Sequence, residues 1–245
     1  MKFLSKLILV TICIVTSINI VEAQRFKGEI IAGVNFNQID GDMVVGYKHI
    51  GAKAGIGAML PFSWKKYNTE KPWALSMEIL YNGKGARERN FNYLLDSSSS
   101  NFFDGKFKYK MNLDYISIPI MLQYYDKNTW AIGVGLQYSR LVNSKEIEYD
   151  ILQTYDTIPP VKPNDLLVFV DVRYRIWQQL KIGFRFEYSI ISMRTRHFQA
   201  TTYYDEQTRK QRNNSLSLYL VYMLNEAKIE KKKEEKKKLD RTYYY

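Results

Sequence analysis

The sequence predicts an all-β chain, an eight-stranded antiparallel up-and-down transmembrane β-barrel with a lumen filled by side chains. Three observations support this fold: strict alternation in eight segments, aromatic residues near segment ends, and connections that alternate between short and long. The clearest alternation is KIGFRFEYSI (181–190), in which charged or small residues alternate with aromatic or aliphatic residues. Neighbouring side chains on a strand point to opposite faces. In a soluble sheet protein the apolar face would meet the core, whereas in a membrane barrel it meets lipid and the charges pair inside.

The N-terminus predicts export. Lys2 and Lys6 precede an apolar run over 7–20, and Val21-Glu22-Ala23 places small residues before Gln24. This arrangement is typical of a secretory signal peptide, here 1–23. The run is short for a membrane helix. The only cysteine, Cys13, lies inside it, so we expect no disulfide in the exported chain.

Eight segments alternate in hydrophobicity along the rest of the chain. They are 28–37, 48–60, 72–83, 107–124, 129–142, 165–176, 180–191 and 214–224. In the second the polar parity contains glycines and Lys53, and in the third and fifth the apolar parity begins at Trp73 and Trp130. No later apolar run is long enough for a membrane helix, so a barrel (24–224) is the membrane structure that fits this pattern.

The fourth segment changes phase. Its apolar residues occupy one parity from Phe107 to Tyr115 and the other parity from Ile116 to Tyr124. We expect a β-bulge near Tyr115 to reconcile the two halves. Pro119, which cannot donate a ladder hydrogen bond, also indicates an irregularity.

The connections and the aromatic residues predict the orientation. The connections 84–106, 143–164 and 192–213 are long and polar, and those between them are shorter. Aromatic residues near segment ends suit the two membrane interfaces; they are Trp64, Trp73, Tyr81, Tyr124, Tyr125, Trp130, Trp177 and Tyr222. The pattern is typical of an outer-membrane barrel with long outer loops and both termini in the periplasm.

The polar parities predict an ion network in the lumen. Its members are Lys53, Glu78, Asp171, Arg173, Arg175, Lys181, Arg185 and Glu187. A three-residue turn at 177–179 would place Asp171 opposite Arg185, whereas a two-residue turn would pair inward with outward residues. An eight-stranded barrel is just wide enough for side chains, so we expect no pore. We also expect Asp171→Arg to rescue Arg185→Glu.

Four stretches resemble one protein family. They are GVNFNQIDGD (33–42), the glycine-alternating second segment, DYISIPIMLQYY (114–125) and GLQYSRLV (135–142). Together they resemble the PorT-like outer-membrane β-barrel proteins of Bacteroidota, over roughly 28–224. Family members often carry an acidic residue where Ser117 stands, so the lumen near Pro119 departs from the family pattern. The resemblance implies a barrel in the outer membrane; PorT itself is tied to type IX protein secretion and, in relatives, to gliding.

The charge balance points to anionic partners. The net charge is +11. Because the chain is predicted to be exported, we do not expect nucleic acid to be the partner of this positive charge. We predict an outer-loop basic patch that meets outer-membrane lipid, including lipopolysaccharide phosphates. Its members are Lys84, Arg87, Arg89, Arg194, Arg196, Arg209, Lys210 and Arg212. A solvated charged loop is the alternative interpretation.

No pattern predicts an enzyme, a cofactor or a metal site. His197 lies near Ser192, Asp205 and Glu206 in the last long loop, but without the spacing that fixes a nucleophile, a base and an acid. A lipid-modifying enzyme is therefore the function that the sequence favours least.

The C-terminal tail, 225–245, is rich in lysine and glutamate and ends in three tyrosines. It is either a solubilising end or an arm that docks to a periplasmic or secretion-machine protein. The docking residues would be Ile229, Lys231, Lys232, Lys233, Tyr243, Tyr244 and Tyr245. The function expected first is a non-catalytic component that assembles or anchors an export or gliding machine. A surface-binding or adhesion barrel acting through the long loops is the alternative.

Overall fold

The computed structural model describes residues 26–42, 44, 46–63, 72–88, 109–126, 129–148, 151–152, 160–198 and 207–224. Ten strands lie in this part of the chain. They are β1 (Lys27–Asp40), β2 (His49–Phe62), β3 (Trp73–Glu88), β4 (Tyr109–Asp126), β5 (Trp130–Glu148), β6 (Ile151–Leu152), β7 (Asn164–Trp177), β8 (Leu180–Ser189), β9 (Arg194–Phe198) and β10 (Gln207–Met223). The predicted signal peptide and tail lie outside the described residues.

Eight of these strands form a closed antiparallel ring. The order is β1-β2-β3-β4-β5-β7-β8-β10, and β10 pairs with β1 to close it. The two short strands β6 and β9 lie off the ring, paired with β5 and β10. Because the ring is closed, every strand in it pairs with a neighbour on both sides, which is what a membrane requires of β-structure. Among the described residues no helix is long and apolar enough to span a membrane.

The two ends of the barrel differ. The first residues of β1 and the last of β10 meet at one end, where Glu29 pairs with Met223; we call this the terminus end. The opposite end, where β1 finishes at Asp40, carries the longer connections, and we call it the loop end. The eight predicted segments correspond to the eight ring strands. Three strands run at least five residues further toward the loop end than predicted: β3 to Glu88, β5 to Glu148 and β10 from Gln207.

The outer surface of the ring is apolar. Its exposed residues form a belt, and on β5 they include Ile132 (57% exposed), Val134 and Leu136. At the terminus end two aromatic pairs lie on this surface: the rings of Trp73 and Tyr124, 5.1 Å apart, and those of Trp130 and Tyr174, 4.6 Å apart. Aromatic rings at such a boundary are typical of a membrane interface. Tyr125, expected in the same girdle, instead points inward, where its hydroxyl donates to Met59 Sδ at 2.9 Å.

The phase change predicted for the fourth segment is wrong. Tyr109, Met111, Leu113 and Tyr115 are buried on the same parity as the lumen-facing residues that follow them in β4. Near the loop end the barrel interior is apolar, which is why aromatic and aliphatic residues there face inward. A bulge does occur beside Tyr115, but its extra residue is Val142 on β5.

The turn between β7 and β8 also differs from the prediction. Asp171 pairs with Arg185 and Tyr174 with Ile182, as the parity argument predicts. The turn itself has two residues, Gln178 and Gln179, and closes on the pair Trp177–Leu180. A bulge at Ile176 shifts the register by one residue and so restores the parity.

Candidate functional site

The centre of the lumen is a network of three acids and two arginines. Arg185 donates through Nη1 and Nη2 to both carboxylate oxygens of Glu78, at 2.9 and 3.0 Å, and through Nε to Asp171 at 2.7 Å. Arg173 donates to Asp171 at 2.9 Å, to Glu29 at 3.0 Å and to Glu78. The network joins residues of β1, β3, β7 and β8 across the barrel. Such forked, shared contacts are the arrangement in which buried charges are tolerated.

A second ion cluster lies beside the first, toward the loop end. Glu187 on β8 accepts from Lys53 Nζ at 2.6 Å and lies 3.0 Å from Lys84 Nζ. Gln137 donates to its other oxygen at 3.3 Å, and Lys53 also donates to Ser217 at 3.1 Å. The two clusters together contain four acids and four bases, which balances the charge that the barrel encloses.

Tyr219 links the clusters. Its ring lies 5.4 Å from Lys53 Nζ, and 5.7 and 5.4 Å from the guanidinium carbons of Arg173 and Arg185. Its hydroxyl donates to Asp171. Gly183 makes room for the ring, because a Cβ at that position would lie 2.4 Å from Tyr219 Cζ. This explains a lumen-facing glycine between two large inward residues of the same strand, Lys181 and Arg185.

The network fills the lumen at its own level. The side chains of Lys53, Arg173, Arg185, Glu187 and Asp171 have no exposed surface, so water does not reach them. Above them, toward the loop end, a layer of amides and hydroxyls continues the packing, in which Ser217 and Ser215 donate to Asn35 and Asn37. The barrel therefore has a solid interior and no open channel through these layers.

Sequence reasoning placed some members of this site differently. Arg175 lies at the β7–β8 turn, where it donates to the Gln178 carbonyl, rather than in the network. Lys181 is buried with its ammonium 4.8 Å from the Tyr125 ring. Glu29 and Lys84 belong to the network but were not assigned to it; Lys84 was predicted in an outer loop. Both stand on the inward parity of their strands, which is the signal that could have identified them.

The loop end is capped by an apolar cluster and an ionic contact. The cluster contains Ile39, Val44, Ala86, Tyr109, Met111, Leu113, Tyr115 and Met193. Beside it, Arg194 on β9 donates through Nη1 and Nη2 to the Glu146 carboxylate on β5, both at 2.7 Å. Tyr109 donates to the same carboxylate at 3.1 Å, and Arg196 lies 3.5 Å from it.

These contacts correct the predicted basic patch. Arg194 is buried and bound to Glu146, and Lys84 lies in the lumen, so neither faces an outer leaflet. Arg209 and Lys210 are exposed, Arg87, Arg196 and Arg212 are partly exposed, and Arg89 lies outside the described residues.

Asp42 is a buried carboxyl in the connection between β1 and β2. The backbone N–H of Val44 donates to Oδ1 at 2.8 Å, and no described residue donates to Oδ2. Burial raises the pKa of Asp42 to about 7, because it disfavours the ionised form more than the Val44 hydrogen bond favours it. This carboxyl is therefore partly protonated near neutral pH.

No catalytic constellation forms in the described part of the chain. His197 Nδ1 lies 2.6 Å from Thr208 Oγ1 on the exposed β9–β10 hairpin, and none of the described acids is bound to the ring. Asp205 and Glu206 lie outside the described residues. Among the described residues no three His, Cys, Asp or Glu side chains are grouped as a metal site would require.

Comparison with solved structures finds other barrels. Ail, the attachment invasion locus protein of Yersinia pestis, solved with the heparin analogue sucrose octasulfate, is 10% identical; the match covers 82% of this chain and 99% of that one, with a TM-score of 0.41. Neisserial surface protein A is 11% identical over 80% and 95% of the two chains, with a TM-score of 0.40. The outer membrane protein OprG of Pseudomonas aeruginosa is 11% identical over 81% and 95%, with a TM-score of 0.38.

A search of curated proteins finds no matching relative. A family model described as outer membrane protein beta-barrel domain matches residues 22–195, which is more than half of the chain. The match covers the strands β1 to β8 and the start of β9, and so includes the ion network apart from Tyr219 and Ser217. The chain belongs to the family of outer-membrane β-barrel proteins.

Proposed function

We propose that this chain is a non-catalytic outer-membrane anchor that helps to assemble or hold a protein-export machine of the type IX kind, or a gliding machine. The filled lumen is the observation that carries the proposal. A barrel whose central side chains have no exposed surface is suited to holding a position in the membrane rather than to passing solutes. The resemblance to PorT-like proteins of Bacteroidota supports the choice of machine.

In this proposal the signal peptide 1–23 is removed and both termini of the barrel lie in the periplasm. The tail 225–245 then extends from the terminus end and offers lysines and the three tyrosines to a periplasmic or secretion-machine protein. Its charged composition suits an acidic partner, with Tyr243, Tyr244 and Tyr245 as apolar contacts.

Surface binding through the loop end is a second candidate function. One observation favours it: the strands do not stop at the apolar belt. β5 runs to Glu148, and the β9–β10 hairpin is held to β5 by the Arg194–Glu146 contact, so the loop end has a structured surface. An ordered surface binds a partner with a smaller loss of conformational entropy than a mobile loop would.

Photo-crosslinking in living cells separates the two functions. We would place the crosslinker at Ile229 in the tail, at the exposed Thr208 on the loop end, and at the lipid-facing Ile132 as a matched control. We expect Ile229 to capture one protein of an export or gliding machine and Ile132 to capture none. Capture from Thr208 alone would replace the anchoring role with surface binding. Capture of the same proteins from all three positions would contradict both.

A further inference from the structure

A cleft opens in the barrel wall between β2 and β3 at the loop end. The hydrogen-bonded ladder between these strands ends at the pair Lys53–Asn82, although β2 continues to His49 and β3 to Glu88. Each strand remains paired on its other side, β2 with β1 as far as His49 and β3 with β4 as far as Glu88. The two strands stay in backbone contact at Gly51 and Gly83 without ladder hydrogen bonds, and beyond this contact lies a cleft of about 350 Å³. Its lining is Lys48, His49, Ile50, Arg87, Lys110 and Asn112.

Two cations stand opposite each other at this cleft. Arg87 on β3 and Lys110 on β4 form a cross-strand pair on the outward parity. Within the described part of the chain neither side chain has an anionic partner. Like charges placed directly opposite each other on a sheet destabilise it, so the pair has a cost that a bound anion would remove. Lys145 on β5 pairs with Asn112 on β4 and adds a further, exposed cation nearby.

The two acids near the cleft among the described residues, Glu88 and Asp114, already have other partners. Glu88 accepts from Lys48 Nζ at 2.6 and 2.8 Å. Asp114 accepts from the Tyr81 hydroxyl at 2.7 Å and from Asn143 at 3.0 Å. Among the described residues, neither acid forms an ion pair with Arg87 or Lys110.

The side-chain amide of Asn112 completes the lining as an uncharged hydrogen-bond donor. His49 Nε2 lies 3.0 Å from Asn112 Oδ1, and His49 Nδ1 lies 3.2 Å from Asn37 Nδ2. Because Asn112 Oδ1 and Asn37 Nδ2 act as acceptor and donor, the ring is neutral with its proton on Nε2. This contact orients the Asn112 amide so that its Nδ2 hydrogens remain for another acceptor. Arginine, lysine and amide donors together are suited to phosphate oxygens.

The cleft adjoins the apolar belt. Ile50, which ends the exposed apolar parity of β2, is 65% exposed and also lines the cleft. A ligand with an apolar part against Ile50 and an anionic part between Arg87 and Lys110 would contact both the apolar belt and the two cations. The volume falls within the roughly 300–1,000 Å³ of typical small-molecule sites.

We propose that this cleft binds the phosphate of a membrane-lipid headgroup. The inference rests on the outer-membrane family and not on the export role, so either can fail without the other. It replaces the predicted basic patch with a defined site in which Arg87 and Lys110 contact the phosphate, Asn112 donates a further hydrogen bond, and Ile50 meets the lipid chain region.

Lipid binding to the folded barrel in nanodiscs tests the proposal. We would titrate diphosphorylated lipid A, the same lipid without its phosphates, and inorganic phosphate, and detect bound molecules by native mass spectrometry. The variant is Arg87→Ala/Lys110→Ala. The matched control is Lys162→Ala/Lys210→Ala, which removes the same charge from exposed loop-end positions away from the cleft.

We expect the cleft variant to bind the phosphorylated lipid at least about tenfold less tightly, because one hydrogen bond to a charged group contributes roughly a factor of ten. The control should bind as the unaltered protein does.

A stability measurement distinguishes a binding site from a structural one. Without lipid, the cleft variant should unfold at a higher urea concentration than the unaltered protein, because the repulsion between the two cations is gone. Equal loss of binding in both variants, or equal affinity for the lipid with and without phosphates, would overturn the site. Binding of inorganic phosphate with the same affinity as the lipid would overturn the lipid as its source and assign the cleft to free phosphate.

Discussion

Arg185 shows at the scale of one residue how this barrel encloses charge. Its guanidinium has no exposed surface and contacts two carboxylates, those of Glu78 and Asp171. The pairing of Asp171 with Arg185 follows from the strand register, but the contact with Glu78 comes from the opposite side of the lumen. Exchange of the charges between Asp171 and Arg185 is therefore not expected to rescue the barrel, because a glutamate at 185 would still face Glu78.

Removal of the Arg185 charge is the first prediction. Arg185→Met keeps an unbranched apolar stem but removes the guanidinium, which leaves Glu78 and Asp171 short of a partner in a dry interior. We expect a loss of about 3–5 kcal/mol in the free energy of unfolding, measured by urea titration with tryptophan fluorescence. The control is Arg140→Met, which removes an exposed arginine bound to Asn164 at 2.7 Å and should cost less than about 1 kcal/mol. Similar losses in the two variants would contradict the network.

Asp42 gives a prediction about pH. Its pKa in the folded protein is about 7, above the usual 3.8, so the folded state binds the proton more tightly than the unfolded state does. The stability that this group contributes is complete below pH 3.8 and is lost as the pH rises through about 7. Asp42→Asn cannot ionise, and we expect it to unfold at a higher urea concentration than the unaltered protein at pH 8. At pH 4 the two should unfold alike. A constant difference between them at both values would argue against the raised pKa.

At the scale of the element, alternation alone misleads in two places. Tyr109, Met111, Leu113 and Tyr115 look outward-facing because the membrane belt has the same composition, but here they fill an apolar cap inside the loop end. In the β7–β8 hairpin, the parity argument is correct for the register and wrong for the turn. A bulge at Ile176 supplies the missing residue, and nothing in the alternation distinguishes a bulge from a longer turn.

Deletion of a residue tests this account of the hairpin. Removal of Ile176 would take out the bulge and leave both the pair Arg175–Lys181 and the closing pair Trp177–Leu180 in one continuous register. We expect this deletion to fold and to cost little stability. Deletion of Val172, within the regular ladder, should prevent folding, because it moves Arg173 from the lumen to the lipid face, where an arginine costs roughly 2–4 kcal/mol at mid-depth. Folding can be followed by the shift in gel mobility on heating. Equal behaviour of the two deletions would contradict the bulge.

At the scale of the whole molecule, the sequence predicts the ring and its faces but not the contacts across it. Parity predicts the eight ring strands and most lumen residues, because lipid on one side and a packed interior on the other select residues at every second position. It does not predict that Glu29 meets Arg173, 144 positions later, because that contact depends on the stagger of the strands around the closed barrel. Lys84 falls in a predicted loop for a different reason, because the predicted third segment ends at residue 83 and the strand continues to Glu88. The cleft beside β2 and β3 had no signal beyond the charges of Arg87 and Lys110.

The central claim is that this is a solid barrel, and electrical recording in planar lipid bilayers tests it most directly. The folded full chain, verified by its gel mobility before heating, would be inserted and recorded at moderate voltage and salt. We predict no conductance steps above those of the bare bilayer, because the ion network closes the lumen. Stable, repeated steps from the folded protein would contradict the filled lumen and with it the role as an anchor.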